Sequence, residues 1–143
     1  MENLNMDTDI KELYFGQRLW INRIRFYKDQ LAILQKNLDK LVKFFPHPEV
    51  MADVEQYQNK IIVYNDVADR LIKDYKVLRN KTNELNGSAV LEEQNLIFTV
   101  QEEMENKAGN FVKYLDELKN DFLVFYTSHN LSENHVCGKK AVY

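Results

Sequence analysis

Residues 31–48, LAILQKNLDKLVKFFPHP, contain the two features that decide the fold. Leucines at positions 31, 34, 38 and 41 and then Phe45 recur at spacings of three and four residues, which places them on one side of an α-helix. The two prolines that follow remove amide donors and disfavour helix in the residues before them. We therefore expect a long amphipathic helix that ends near Phe45 and a second helix that opens on Pro48.

The same spacing extends in both directions from this stretch. It runs through residues 13–45, 50–85 and 90–129 and does not slip register within any of the three runs. The break at 86–88, Asn-Gly-Ser, separates the second run from the third, because Asn and Gly tolerate the left-handed conformation that ends a helix and Ser can cap the next one. The pattern predicts three helices and two short connections.

Long helices that are joined by short connections pack as antiparallel neighbours. A sustained seven-residue repeat is typical of left-handed supercoiled packing. The sequence therefore predicts an all-α fold, an antiparallel up-down-up three-helix bundle of long coiled-coil-like helices. The predicted segments are helices at 8–45, 48–86 and 88–129, a single domain at 1–130 and a polar C-terminal tail at 131–143.

Composition and charge argue against several classes of protein. The 143 residues include only 4 Gly and 2 Pro, too few for the turns of an all-β fold. A formal net charge of −3 gives no overall attraction to nucleic acid or to an anionic membrane. Cys137 is the single cysteine, so an internal disulfide is excluded. The N-terminal residues lack the basic and apolar regions of a signal peptide, and we expect a soluble, cytoplasmic protein with no nucleic-acid or membrane partner.

Polar residues interrupt the apolar repeat at matching levels of the predicted bundle. Counting from the two turns places Gln17, Thr82 and Gln94 in one layer and Tyr75 beside Gln101 in another. Buried polar groups need hydrogen-bond partners, so we expect the members of each layer to lie within reach of one another.

The first and third helices carry opposite charge. Segment 8–45 has eight basic and four acidic residues, a net charge of +4, and segment 88–129 has three basic and eight acidic residues, a net charge of −5. In an up-down-up bundle these two helices are neighbours, and we expect their flanking charges to pair.

No sequence motif indicates catalysis. The chain has no glycine-rich phosphate loop, no Gly-x-Ser-x-Gly elbow and no Glu-x-x-His pair of the kind that holds di-iron centres. We therefore expect no catalytic residues and no cofactor. His129, His135 and Cys137 offer imidazole and thiolate groups that suit zinc, but their spacing matches no closed structural site. Incidental ligands in a polar tail are the preferred interpretation.

Tyrosines at core positions leave an alternative function open. A pocket between the helices that is lined by Tyr64, Tyr75 and Gln101 would favour a small-molecule or metal-binding bundle. The simpler interpretation is that these rings fill the core, with each hydroxyl group reaching a polar partner or the bundle edge.

One set of apolar residues has no place in a three-helix core. Leu19, Phe26 and Ile33 recur every seven residues at a position turned well away from the seam, and Phe15 and Ile21 extend the apolar surface. An apolar stripe of this kind is typical of a second contact surface. The sequence predicts a non-enzymatic interaction or scaffold protein that forms a homodimer or higher homo-oligomer through this stripe, with a helical protein partner as the second possibility.

Overall fold

The computed structural model describes the backbone of residues 2–85 and 91–136 and the side chains of residues 9–85 and 91–129. Three helices follow one another: α1 (Glu2–Phe44), α2 (Pro48–Glu84) and α3 (Leu91–Val136). Helices account for 97% of the described residues, which include no strand. All three helices pack against one another, and the predicted all-α, up-down-up three-helix bundle is confirmed.

The break between α1 and α2 forms where the prolines predict it. Pro46 and His47 lie outside both helices, and Pro48 occupies the first turn of α2 with Glu49 beside it. Proline is suited to this position because its missing N–H group would have no partner within the helix, and the carboxylate favours the positive end of the helix dipole. The first backbone hydrogen bond of α2 runs from the Met51 N–H group to the His47 carbonyl oxygen at 2.9 Å.

The core of the bundle consists of the residues of the apolar repeat. Every described position of that repeat is buried or half-buried, and the half-buried ones are mainly aromatic side chains at the bundle edge. Among the described residues, Ile21 is the one buried side chain that lies outside the repeat, with 4% of its surface exposed. Its burial corrects the expectation that Ile21 belongs to the outer apolar surface. Ile21 precedes Lys28 by one heptad, and Lys28 pairs with Asp69 of α2, so this side of α1 faces α2.

Two helix ends lie beyond the predicted boundaries. α1 begins at Glu2 rather than near residue 8, and α3 continues to Val136 rather than stopping at 129. The apolar repeat does fade near Asn130, but no Gly or Pro occurs between residues 109 and 138 to end the helix. The end of the apolar repeat therefore does not end the helix. The predicted turn at 86–88 lies outside the described residues.

Candidate functional site: the exposed face of α1

A buried polar layer links the three helices. Gln17 of α1 donates hydrogen bonds from Nε2 to Thr82 Oγ1 of α2 and to Gln101 Oε1 of α3, each at 2.9 Å. The Thr82 hydroxyl group donates to the Leu78 carbonyl oxygen at 2.8 Å, and Gln101 Nε2 donates to the Leu13 carbonyl oxygen at 3.1 Å. These bonds join one side chain from each helix, so the layer ties the helices at a single level.

The partner of this layer on α3 differs from the predicted one. The structure joins Gln17 to Thr82 as expected, but Gln101 occupies the position expected for Gln94. Tyr27 likewise contacts Phe111, with ring centroids 6.4 Å apart, which is one heptad earlier on α1 than the predicted alignment placed that contact. α3 is therefore displaced by about one heptad along α1.

The displacement has a physical reason in the repeat itself. A shift by seven residues returns every apolar position to the same face, so the apolar pattern does not distinguish the two alignments. The predicted alignment depends instead on a tight turn at 86–88, which lies outside the described residues.

Gly16 provides the space for this alignment. A Cβ atom at Gly16 would lie 2.7 Å from Nε2 of Gln101, well inside contact distance. The absence of a side chain lets the Gln101 amide approach α1 and reach the Leu13 carbonyl oxygen. A glycine here thus permits the close approach of a polar side chain from α3.

Two buried polar groups remain outside this layer. The Tyr75 hydroxyl group and Gln94 Nε2 are buried and have no hydrogen-bond partner among the described residues. Within the layer, Gln17 Oε1 is also buried without a hydrogen-bond partner. Burial raises the pKa of Tyr75, and the negative charge of Glu105 raises it further. Tyr75 therefore remains protonated at neutral pH. Its hydroxyl group does not form the predicted pair with Gln101, because the Gln101 amide group binds Gln17 and the Leu13 carbonyl oxygen of α1.

Aromatic donors connect the flanks of α1 and α3. Trp20 Nε1 donates to a Glu105 carboxylate oxygen at 3.4 Å, and the Tyr27 hydroxyl group donates to Asp116 at 2.9 Å. Burial and this hydrogen bond to Asp116 both raise the pKa of Tyr27. The Arg23 guanidinium lies 4.5 Å from the Trp20 ring centroid, a distance that suits a cation–π contact.

The opposite charges of α1 and α3 do not pair as expected. Within the described residues no Lys or Arg of α1 forms an ion pair with a carboxylate of α3; the two ion pairs there are Lys28 with Asp69 and Arg70 with Asp66. The prediction that these charges form ion pairs between α1 and α3 is therefore wrong for the described residues. Trp20 and Tyr27 occupy the carboxylates Glu105 and Asp116 instead.

The predicted apolar stripe is exposed on the surface of the bundle. Leu19, Phe26 and Ile33, which we call the apolar column, expose 43%, 54% and 49% of their surface. Their shared spacing of seven residues places them in line along α1. Phe15 lies on the same outer side of the helix and is 69% exposed. Neither α2 nor α3 covers these four side chains.

The apolar column continues into two charged residues that the sequence analysis did not single out. Glu12 precedes Leu19 by one heptad, and Lys40 follows Ile33 by one heptad. Both side chains are exposed, and neither forms an ion pair within the described part of the chain. The seven-residue spacing is the signal that could have identified them, because it assigns all five residues to one line along the helix.

The other exposed apolar side chains that the structure describes form no comparable line. On α2, Ile62, Val63 and Val77 are exposed, but only Val63 and Val77 share a heptad position, and the position between them is Arg70. On α3, Leu91 is exposed, whereas Phe98 and Val112 are half-buried and pack against the core.

The described residues contain no group of three or more His, Cys, Asp or Glu side chains that could hold a metal ion. His129 places its Nδ1 atom 2.8 Å from the Phe125 carbonyl oxygen, and its ring lies among those of Phe45 and Phe125. His135 and Cys137, the other two weak candidates for a metal site, lie outside the residues whose side chains are described.

A cleft lies beside Gln101, but it differs from the predicted pocket that Tyr64, Tyr75 and Gln101 would line. It is an open groove of about 330 Å³ between α1 and α3, and neither Tyr64 nor Tyr75 lines it. Tyr64 stacks on Tyr114 elsewhere in the bundle, with ring centroids 6.3 Å apart. The structure thus does not gather the three candidate pocket residues around this cleft.

Comparison of the chain with known protein families, with characterised proteins and with solved structures finds no match. Over the described residues, none of the helices contains a stretch that is long and apolar enough to cross a membrane.

Proposed function

We propose that this protein is a non-enzymatic interaction or scaffold protein that associates with itself through the apolar column of α1. The observation that carries the proposal is the exposure of Leu19, Phe26 and Ile33 at a regular spacing of seven residues along α1, whereas the residues of the apolar repeat face the bundle. Contiguous exposed apolar surface of this kind is typical of interaction sites. The proposed assembly is a homodimer or a larger homo-oligomer.

Covering the apolar column would remove its exposed apolar surface from water, which favours association. Complete burial of a Leu, Phe or Ile side chain contributes about 1.5–3 kcal/mol relative to full exposure. The three side chains of the apolar column are roughly half exposed, so covering them would contribute about 1 kcal/mol each. Two copies bring two such columns together, and twofold symmetry is the commonest way for identical surfaces to meet.

The proposal also includes a possible helical protein partner and a cellular compartment. A helix of another protein could bind the same column, since an amphipathic helix presents apolar residues at matching spacing. The net charge of −3 favours neither nucleic acid nor an anionic membrane as partner. The single cysteine suits a reducing compartment, and we propose the cytoplasm.

The alternative function, a small-molecule or metal-binding bundle, has less support. The groove beside Gln101 is open and is bordered by the carboxylates of Glu12, Glu102 and Glu105 without the predicted tyrosines. The Tyr75 hydroxyl group is unpartnered, but the ring is completely buried. Neither feature combines apolar enclosure with convergent polar groups, which is the usual character of ligand pockets.

The proposal is tested by placing charge in the apolar column. Leu19→Glu combined with Phe26→Glu is expected to convert the oligomer into a monomer, because two carboxylates would have to lose water on association. Both side chains are exposed, so the variant keeps its helix content. Light scattering measures the mass, and circular dichroism measures the helix content.

A matched control places the same charges on another exposed apolar surface. Ile62→Glu combined with Val63→Glu changes two α2 residues that are more exposed than Leu19 or Phe26. We expect this variant to retain the oligomeric mass of the parent chain. If the control dissociates and the α1 variant does not, the association surface lies on α2 and the proposal is wrong.

A further inference from the structure

We infer that two copies of the chain meet along α1 with antiparallel helix axes, about a twofold axis beside Phe26, so that Glu12 of each copy faces Lys40 of the other. This inference depends on the self-association proposed above and specifies its geometry. It commits the apolar column to one occupant, a second copy of α1.

The apolar column and the two charged residues that continue it are evenly spaced about Phe26. Phe26 lies at its centre, with Leu19 and Ile33 one heptad away on either side and Glu12 and Lys40 two heptads away. All five side chains are exposed. A twofold axis beside the central residue of an antiparallel pair brings each residue opposite the one equally far on the other side of the centre.

The residues that an antiparallel arrangement brings together are chemically matched. An antiparallel pair that is centred on Phe26 places Leu19 against Ile33 of the second copy, and Phe26 against Phe26. At both ends, Glu12 meets Lys40, so the column is apolar in the middle and has an opposite-charge pair at each end. The column is therefore complementary to its own antiparallel copy.

The parallel alternative lacks this complementarity. In an in-register parallel pair, Glu12 would face Glu12 and Lys40 would face Lys40, which are like-charge contacts and destabilise a helical interface. The charges thus favour one orientation, which is their usual effect at a helical interface. Because neither side chain has an ion-pair partner within the described chain, both are available to the second copy.

Three arginines of α1 lie beside this contact and leave it free. Arg18 and Arg25 share a heptad position that is about 100° around the helix from the apolar column. Arg23 lies closer to the column, but its guanidinium is drawn toward the Trp20 ring at 4.5 Å. These three arginines therefore lie beside the proposed contact, whereas Lys40 takes part in it.

Charge reversal tests the orientation. Glu12→Lys alone and Lys40→Glu alone each create two like-charge contacts in the antiparallel dimer, and we expect each to raise the dissociation constant by about tenfold or more. The double variant Glu12→Lys with Lys40→Glu restores both pairs and keeps the net charge at −3. Its dissociation constant, measured by sedimentation equilibrium at low salt, is expected within about threefold of the parent value.

Two controls separate orientation from other effects. Lys73→Glu, an equal charge change at an exposed position of α2, is expected to leave the dissociation constant unchanged. The second control is a mixture of Leu19→Cys and Ile33→Cys chains, both in a Cys137→Ser background. Oxidation of this mixture should yield mainly the mixed disulfide in an antiparallel dimer, whereas a parallel dimer should yield the two homodimers.

The outcomes distinguish this inference from the proposed function. A parent chain that remains monomeric contradicts both. A dimer that Leu19→Glu with Phe26→Glu dissociates, but that is indifferent to the single charge reversals and forms only homodimeric disulfides, supports the proposed function and overturns the antiparallel geometry. Weakening by each single reversal with recovery in the double variant supports both.

Discussion

Two lines of apolar side chains run along α1 at the same seven-residue spacing, and they have opposite environments. Ile24, Leu31 and Leu38 on the inner face are at most 1% exposed, because α2 and α3 close over them. Phe26 and Ile33 on the outer face are about half exposed. The residue types are alike, so what distinguishes the two lines is the presence of a covering helix.

The comparison shows how one periodicity can serve two purposes. The inner line is matched by α2 and α3 and accounts for the fold, whereas the apolar column has no matching surface within the described chain. A helix with apolar residues on two sides needs partners on both. The fold provides the first set of partners, and we propose that a second copy provides the other.

The largest expected difference between the two lines is in stability. Leu31→Ala should lower the free energy of unfolding by about 2–5 kcal/mol, because it leaves a cavity at a site that is 1% exposed. Ile33→Ala, two residues away on the apolar column, should lower it by roughly 0.5 kcal/mol in the monomer. Urea unfolding at low protein concentration measures both changes. Equal losses for the two variants would mean that Ile33 is covered within a single chain.

A smaller difference in stability is expected between substitutions of two buried glutamines of the inner face. Gln17→Leu removes the donor to both Thr82 and Gln101 and should destabilise the fold by roughly 1–3 kcal/mol, because two buried acceptors lose a partner. Gln94→Leu makes the same chemical change at a buried glutamine whose Nε2 atom is unpartnered. That variant should be as stable as the parent or more stable. Thermal unfolding that ranks the two variants in the reverse order would contradict the observed register.

The smallest expected effect concerns Tyr75 and depends on pH. Its pKa is raised above the ordinary value of 10.0 in the folded state, so the unfolded chain loses the phenol proton first as pH increases. The folded state is therefore destabilised above about pH 10. Tyr75→Phe removes an unpartnered hydroxyl group, should stabilise the fold by roughly 1 kcal/mol at neutral pH, and should weaken this alkaline loss. Urea unfolding at pH 8 and pH 10.5 measures both effects, and an unchanged pH dependence in the variant would contradict the raised pKa.

The sequence predicts most of the fold because the apolar repeat and the two prolines are unambiguous local signals. The same repeat explains what it could not predict. A slide of one heptad leaves the apolar face unchanged, so the repeat does not distinguish the alignment that pairs Gln17 with Gln101 from the one that pairs Gln17 with Gln94. The burial of Ile21 does not follow from the repeat, because it depends on the side of α1 that α2 occupies. The apolar column was identified because exposure at a heptad position follows from the repeat alone.

The mass of the parent chain in solution tests the central claim most directly. Light scattering over a concentration series that reaches well above the micromolar range distinguishes a monomer of 17.0 kDa from a dimer of about twice that mass. If the apolar column is a self-association surface, the measured mass should increase with concentration to that of a dimer or a larger assembly. A mass that remains at 17.0 kDa up to the highest concentration would contradict the account.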